Sequence, residues 1–168
     1  MAKIILSAFA DEYSSDFTEQ LEGLRSFGIG HVEVRGVDGK NVSVLTPKEI
    51  GEAKRKLDHY GICVSAMGSP IGKIKLDGDI AGHFEMAKRV FESANNLGTK
   101  YIRMFSFYAP DGKSIVDCKA EVFDRLSTLL DLAKAAGKPI KRYVNFLAYE
   151  LVRILVGKGG DGPIGVDL

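Results

Sequence analysis

The sequence has no tryptophan, two cysteines, three histidines and almost no net charge, with 23 Lys+Arg against 22 Asp+Glu in 168 residues. Each scarcity excludes a class. Cys63 and Cys118 lie far apart and show neither a CxxC pair nor a Cys/His metal spacing, which argues against a disulfide scaffold and for reduced thiols in a cytoplasmic protein. Balanced charge supplies no counterion-release drive, so nucleic acid is not an expected partner. No segment approaches the ~18 uncharged apolar residues that read as a bilayer crossing. The apolar run from Lys3 to Ala10 is closed by Asp11 and Glu12 before a signal-peptide core can form, so neither a leader nor membrane association is expected.

What the sequence does contain is ordinary for a packed protein: 45% hydrophobic and 27% charged residues, enough for one core and one domain over 1–168. Ile4 to Phe9 is a short, β-branched apolar run. Ser14, Ser15 and Asp16 then offer helix N-caps before Phe17, Leu21, Leu24 and Phe27 at helical spacing, with Gly28 as the stop. His31 to Arg35 alternates with period two as a second strand, and Thr46-Pro47 opens a helix that runs to about His59. A third strand over Ile62–Ala66 leads through the Gly68–Gly72 loop to a helix from about Ile80 to Leu97. A fourth strand over Tyr101–Phe105 leads through Phe107-Tyr108 to a helix from about Val116 to Ala136, stopped by Gly137.

Strands separated by long helices require parallel pairing, because a tight turn cannot reach a parallel neighbour. The pattern predicts an α/β fold of four successive βα units over residues 1–137, built either as part of a closed barrel or as an open doubly wound sheet. Alternation favours the barrel. Val32 and Val34 point one way and His31, Glu33 and Arg35 the other; Cys63 and Ser65 share a face, as do Tyr101, Arg103 and Phe105. A doubly wound sheet buries both faces under helices and prefers continuous apolar strands, whereas a barrel interior near a site holds paired charges. Residues 138–168 break the rhythm: a basic stretch from Lys138 to Arg142, an apolar helix over Tyr143–Val156, a glycine-rich loop and a short terminal strand are expected there.

Four motifs then occur in order, each after an expected strand: Ser7 to Glu12, Val34 to Val42, Gly68 to Lys73 and Lys100 to Tyr108. Over residues 1–137 they resemble the first half of sugar phosphate isomerase/epimerase proteins of the xylose-isomerase-like TIM-barrel superfamily. The resemblance implies a TIM-barrel-like half-barrel with a C-terminal helix and short strand, a sugar or sugar phosphate as ligand, and isomerase or epimerase chemistry at a divalent metal such as Mn²⁺ or Mg²⁺. It also implies metal ligands in the second half of a barrel, including a His-Glu-Asn-Glu-like segment on a fifth strand. The sequence after Gly137 does not match that segment, so no metal ligand is assigned.

Glu33, near the C-terminal end of its strand, and Arg35 beside it are the catalytic candidates, since barrel sites gather at that rim. Facing Arg35 or Arg103, Glu33 reads more readily as half of an internal ion pair. Lys40, Lys73, Arg103 and Tyr108 are the substrate-binding candidates: the lysines lie in glycine-rich loops that either cradle a phosphate or simply turn, and Tyr108 with Phe107 either stacks on a sugar or covers the core. Asp11 and Glu12 read as rim carboxylates or as a helix cap. His31, His59 and His83 fall at a strand start, a helix end and a helix start, which argues against a three-histidine metal site. Two functions follow: a scaffold that is truncated, chimeric or engineered and lacks the full metal site, or an active isomerase completed by a homodimer. The first is favoured, because four units cannot supply the family's metal set.

Overall fold

The computed structural model describes residues 5–137. The helix and strand expected within 138–168 lie outside the described residues, as does Ile4 of the first strand.

Local sequence chemistry sets the helix ends. Asp16 caps helix α1 (Phe17–Ser26) by accepting from the Thr18 and Glu19 N–H groups. Helix α2 (Pro47–Tyr60) begins on a capping box, Thr46 with Glu49, has proline in its first turn, and ends on Gly61 at φ +62°. Asp79 caps helix α3 (Ile80–Asn96) through the Gly82 N–H. Helix α4 (Lys119–Ala135) starts three residues later than its sequence pattern predicts. Residues 115–118 are wound in turns instead, with Cys118 N–H on Ile115 O and Lys119 N–H on Val116 O, and Cys118 supplies no side-chain cap.

Between the helices run strands β1 (His31–Val34), β2 (Gly36–Val37), β3 (Lys40–Asn41), β4 (Cys63–Gly68) and β5 (Ile102–Arg103). β1, β4 and β5 form a parallel sheet in that order, and Ala8 adds a parallel bridge to Val32 on the outer side of β1. Sequential spatial order has no reversal of the kind a doubly wound sheet contains. The first strand is reduced to that one bridge, and β5 is shorter than the expected 101–105. Each has a strand neighbour on one side among the described residues. β2 and β3 form an antiparallel ribbon around Asp38 and Gly39, both at positive φ. This is the Asp-Gly hairpin signal, so Lys40 stands on a short ribbon where a plain loop after the second strand is expected.

Helices cover one face of the sheet. Val32, Val34 and Met67 turn toward Phe17, Leu21, Ile50, Leu57 and Val90, all nearly devoid of exposure. The opposite face carries the polar residues. On β4 the register slips between Val32 and Glu33, leaving Ser65 as the extra residue, so Glu33 lies beside Ala66 and Val34 beside Met67.

Beyond the sheet the chain goes on pairing. Phe105 N–H donates to Ile71 O (2.7 Å), Phe107 N–H to Gly72 O (2.9 Å) and Tyr108 N–H to Ile74 O (2.9 Å), which ties the loop after β4 to the segment after β5. Gly72 is required at this crossing. Its φ is +77°, and a Cβ there would sit 1.9 Å from Phe105 O. Gly72→Ala is expected to lower stability by about 3 kcal/mol, combining the left-handed penalty with overpacking. Urea unfolding measures it, and a loss below about 1 kcal/mol would show that the crossing relaxes.

Candidate functional site

Strand parity brings three of the expected residues together. With Val32 and Val34 committed to the core, Glu33 and the following Arg35 face the inner side, and the Ser65 bulge sets Gly68 between Arg35 and Arg103. Arg103 Nε donates to Glu33 Oε1 at 2.8 Å, with the two side chains 16% and 15% exposed. Arg35 Nε donates to Asp11 Oδ2 at 2.7 Å, and its Nη2 to Glu12 Oε1 at 3.2 Å. Those carboxylates, Asp11 first, raise the Arg35 pKa. The partner of Glu33 is thus Arg103 and not Arg35, and Asp11 serves an ion pair while Asp16 caps the following helix.

Aromatic rings fill the space between these charges. The Arg35 and Arg103 guanidinium carbons lie 5.0 and 4.9 Å from the Phe9 ring centroid. Phe105 has Arg103 at 5.7 Å and the Lys73 ammonium at 5.8 Å. Gly68 makes room: a Cβ there would meet Arg103 Nη2 at 3.0 Å and Glu33 Oε1 at 3.2 Å. The rim is therefore a layer of cations on aromatic faces, with two of the three cations already neutralised by carboxylates.

The other candidates sit apart. Lys40, on the β2–β3 ribbon, borders a neighbouring hollow of about 250 Å³ with Asp11, Ser15, Gln20, Arg35 and Asn41. Its ammonium is held by Glu49 at 2.5 Å, and this contact, followed by the Thr46 bonds, draws the Glu49 carboxyl down to about 2. Tyr108 is bound through its backbone to Ile74 and Leu76, and its ring is exposed at the outer end of the rim. Further down the inner face an open hollow of about 640 Å³ is bordered by Ser7, His31, Glu33, Cys63 and Ser65. Ser7 and Ser65 share a hydrogen bond of 2.6 Å there.

Phe9 and Gly68 belong to this layer and were not singled out in the sequence. Phe9 carries a signal in hindsight, since it ends the first apolar run where a barrel interior would begin. Gly68 carries none, because its role depends on a bulge. Among the described residues no three His, Cys, Asp or Glu side chains converge as metal ligands. The inward carboxylates Glu33 and Asp11 are each engaged by a guanidinium, so residues 5–137 do not fit a divalent ion.

The inner-face pair acts as a unit. Glu33→Gln is expected to cost about 2–3 kcal/mol, because it leaves Arg103 half-buried without its counter-charge. Glu33→Met combined with Arg103→Met should cost less than the sum of the single changes. A thermodynamic cycle from urea unfolding tests this, and strict additivity would sink the claim.

No family model and no curated protein sequence matches the chain. Its fold does match solved structures. A probable 3-DHS dehydratase from Bacillus anthracis aligns at a TM-score of 0.62 with 15% identity, over 80% of this chain and 50% of that one. D-psicose 3-epimerase from Clostridium cellulolyticum, solved with D-tagatose, aligns at 0.62 with 14% identity, over 89% and 58%. A xylose isomerase-like TIM barrel protein from Mycobacterium smegmatis, solved with magnesium, aligns at 0.58 with 13% identity, over 80% and 52%. The chain spans about half the length of these structures. At such identities the likeness is one of fold: the chain has a parallel α/β, partial TIM-barrel-like architecture.

Proposed function

We propose that this chain is a sugar-binding scaffold of the isomerase/epimerase type, whose residues 5–137 hold a small carbohydrate or sugar phosphate at the rim but do not carry the metal-dependent reaction. The observation that supports this most directly is the state of the inward carboxylates. Glu33 and Asp11 each accept from an arginine, at 2.8 and 2.7 Å, and no ligand triad converges among the described residues. A carboxylate that neutralises a guanidinium inside a sheet is poorly placed to bind an ion or take a proton, since either would strand the arginine. Binding remains chemically open to the same layer. Only Nε of Arg103 is used by Glu33, so its other N–H groups can donate to hydroxyl or phosphate oxygens, and Lys73 adds an ammonium with no ion-pair partner among the described residues. Phe9 and Phe105 offer apolar faces against which a sugar ring packs. The folds that this chain resembles include epimerases solved with D-fructose and D-tagatose, which supports carbohydrate as the ligand class.

A second reading is an active metal-dependent isomerase whose site is completed by another copy of the chain. The open inner face, with its hollow of about 640 Å³, favours it. In either reading the protein acts in the cytoplasm on a small molecule. Among the described residues no helix is long and apolar enough to cross a membrane.

Thermal denaturation separates the two. Millimolar D-fructose 6-phosphate is expected to raise Tm by a few degrees through binding to the folded state alone, whereas Mn²⁺ or Mg²⁺ without sugar leaves it unchanged. A metal-dependent rise in Tm, together with a dimer by light scattering, would overturn the scaffold reading and install the second. Arg103→Met should abolish the sugar effect, and its persistence would move the ligand away from this rim.

A further inference from the structure

The imidazole of His83, in the first turn of α3, accepts a hydrogen bond from the Gly72 N–H at Nε2, 2.7 Å away. This contact fixes the protonation state. Nε2 accepts only with its lone pair free, so the bond exists with neutral His83 carrying its proton on Nδ1 and is impossible with the imidazolium. A buried backbone donor would then be left unpaired, at the point where the loop after β4 crosses the segment after β5.

The surroundings make that crossing sensitive. Gly72 O accepts from Phe107 N–H at 2.9 Å, so one residue receives support from α3 on one side and gives it to the neighbouring segment on the other. Phe107 is buried and holds a left-handed φ of +70°, a conformation that costs an L residue energy and persists only where its neighbours impose it. Its ring lies 6.2 Å from the His83 ring. Lys73, the next residue along the loop, is the cation that sits over Phe105 at the rim.

We propose that His83 is an acid-released latch: protonation of its imidazole breaks the Gly72 bond, frees the 69–73 loop from α3 and the Phe105–Tyr108 segment, and carries Lys73 away from the rim. Charge near the ring favours this protonation, and burial opposes it. Asp79, the N-cap of α3, is the carboxylate that acts on it; the loop turns the Gly72 backbone to it and the segment after β5 turns the Phe107 ring. Burial outweighs Asp79 and keeps the imidazole below its ordinary value of 6.5. A histidine depressed in the folded state binds fewer protons than in the unfolded one, so its contribution is complete above the ordinary value and is lost as pH falls through the depressed one. The latch is closed at neutral pH and opens only as pH falls below the ordinary histidine value. None of this depends on what the rim binds.

Nuclear magnetic resonance on the whole ¹⁵N-labelled chain tests it. At neutral pH the His83 ring should show Nδ1 protonated and Nε2 bare. On titration toward pH 5, the protection factors of the Gly72 and Phe107 amides should fall at least tenfold in step with the His83 ring signals, while Ile50 and Val90 keep theirs. In His83→Gln the amide oxygen accepts the same N–H without titrating, so Gly72 protection should become independent of pH. A protonated Nε2 at neutral pH, Gly72 protection that survives His83 titration, or an equal loss in the glutamine variant would each overturn the proposal. If the variant does not fold, the wild-type titration decides alone.

Discussion

Two arginines stand on the inner face of a three-stranded parallel sheet, and the arrangement of the rim follows from the need to compensate them. A guanidinium cannot shed its charge, so each must have a carboxylate, a hydrogen-bonding surface or water. Arg103 reaches Glu33 two strands away across β4, and Arg35 reaches Asp11 in the loop before α1. These contacts tie β5 to β1 and the residue after β1 to the turn before α1. They also constrain β4 in between, where any side chain at position 68 would press on both members of the Glu33–Arg103 pair.

The same economy underlies the proposal that the rim binds a ligand without carrying the reaction. In a metal-dependent isomerase the inward carboxylates must be free to coordinate or to accept a proton, and arginines that claim them work against both. What remains is donors on planar cations, held at aromatic faces. Such a layer suits oxygen-rich ligands with apolar ring faces. The loop that adds Lys73 is fastened differently, by backbone bonds to the segment after β5 and by one backbone donor to a neutral imidazole. Its hold on the rim is therefore conditional in a way that the two ion pairs are not.

Much of the scaffold is legible in the sequence because its signals are local. Asp16, Thr46 with Glu49, and Gly61 act within a turn of their helix ends, and the observed helices start and stop there. Alternation in His31–Val34 places Glu33 opposite the core before any partner is known. Where the local chemistry is weak the reading drifts. Helix α4, with no side-chain cap, begins later than its apolar spacing suggests, and the strands with one neighbour are shorter than their β-branched runs.

The sequence by itself determined the order of four βα units, the ends of the well-capped helices, and the faces on which Glu33, Arg35 and Arg103 stand, because these follow from dihedral preference and periodicity a few residues wide. Only the tertiary structure decided that Arg103 and not Arg35 neutralises Glu33, that Ser65 is the extra residue which aligns Gly68 with both, and that His83 meets Gly72. Those contacts join residues 70 and 11 positions apart or rest on a one-residue slip in register. A slip of one residue reverses every inward and outward assignment after it, and no short-range preference encodes it.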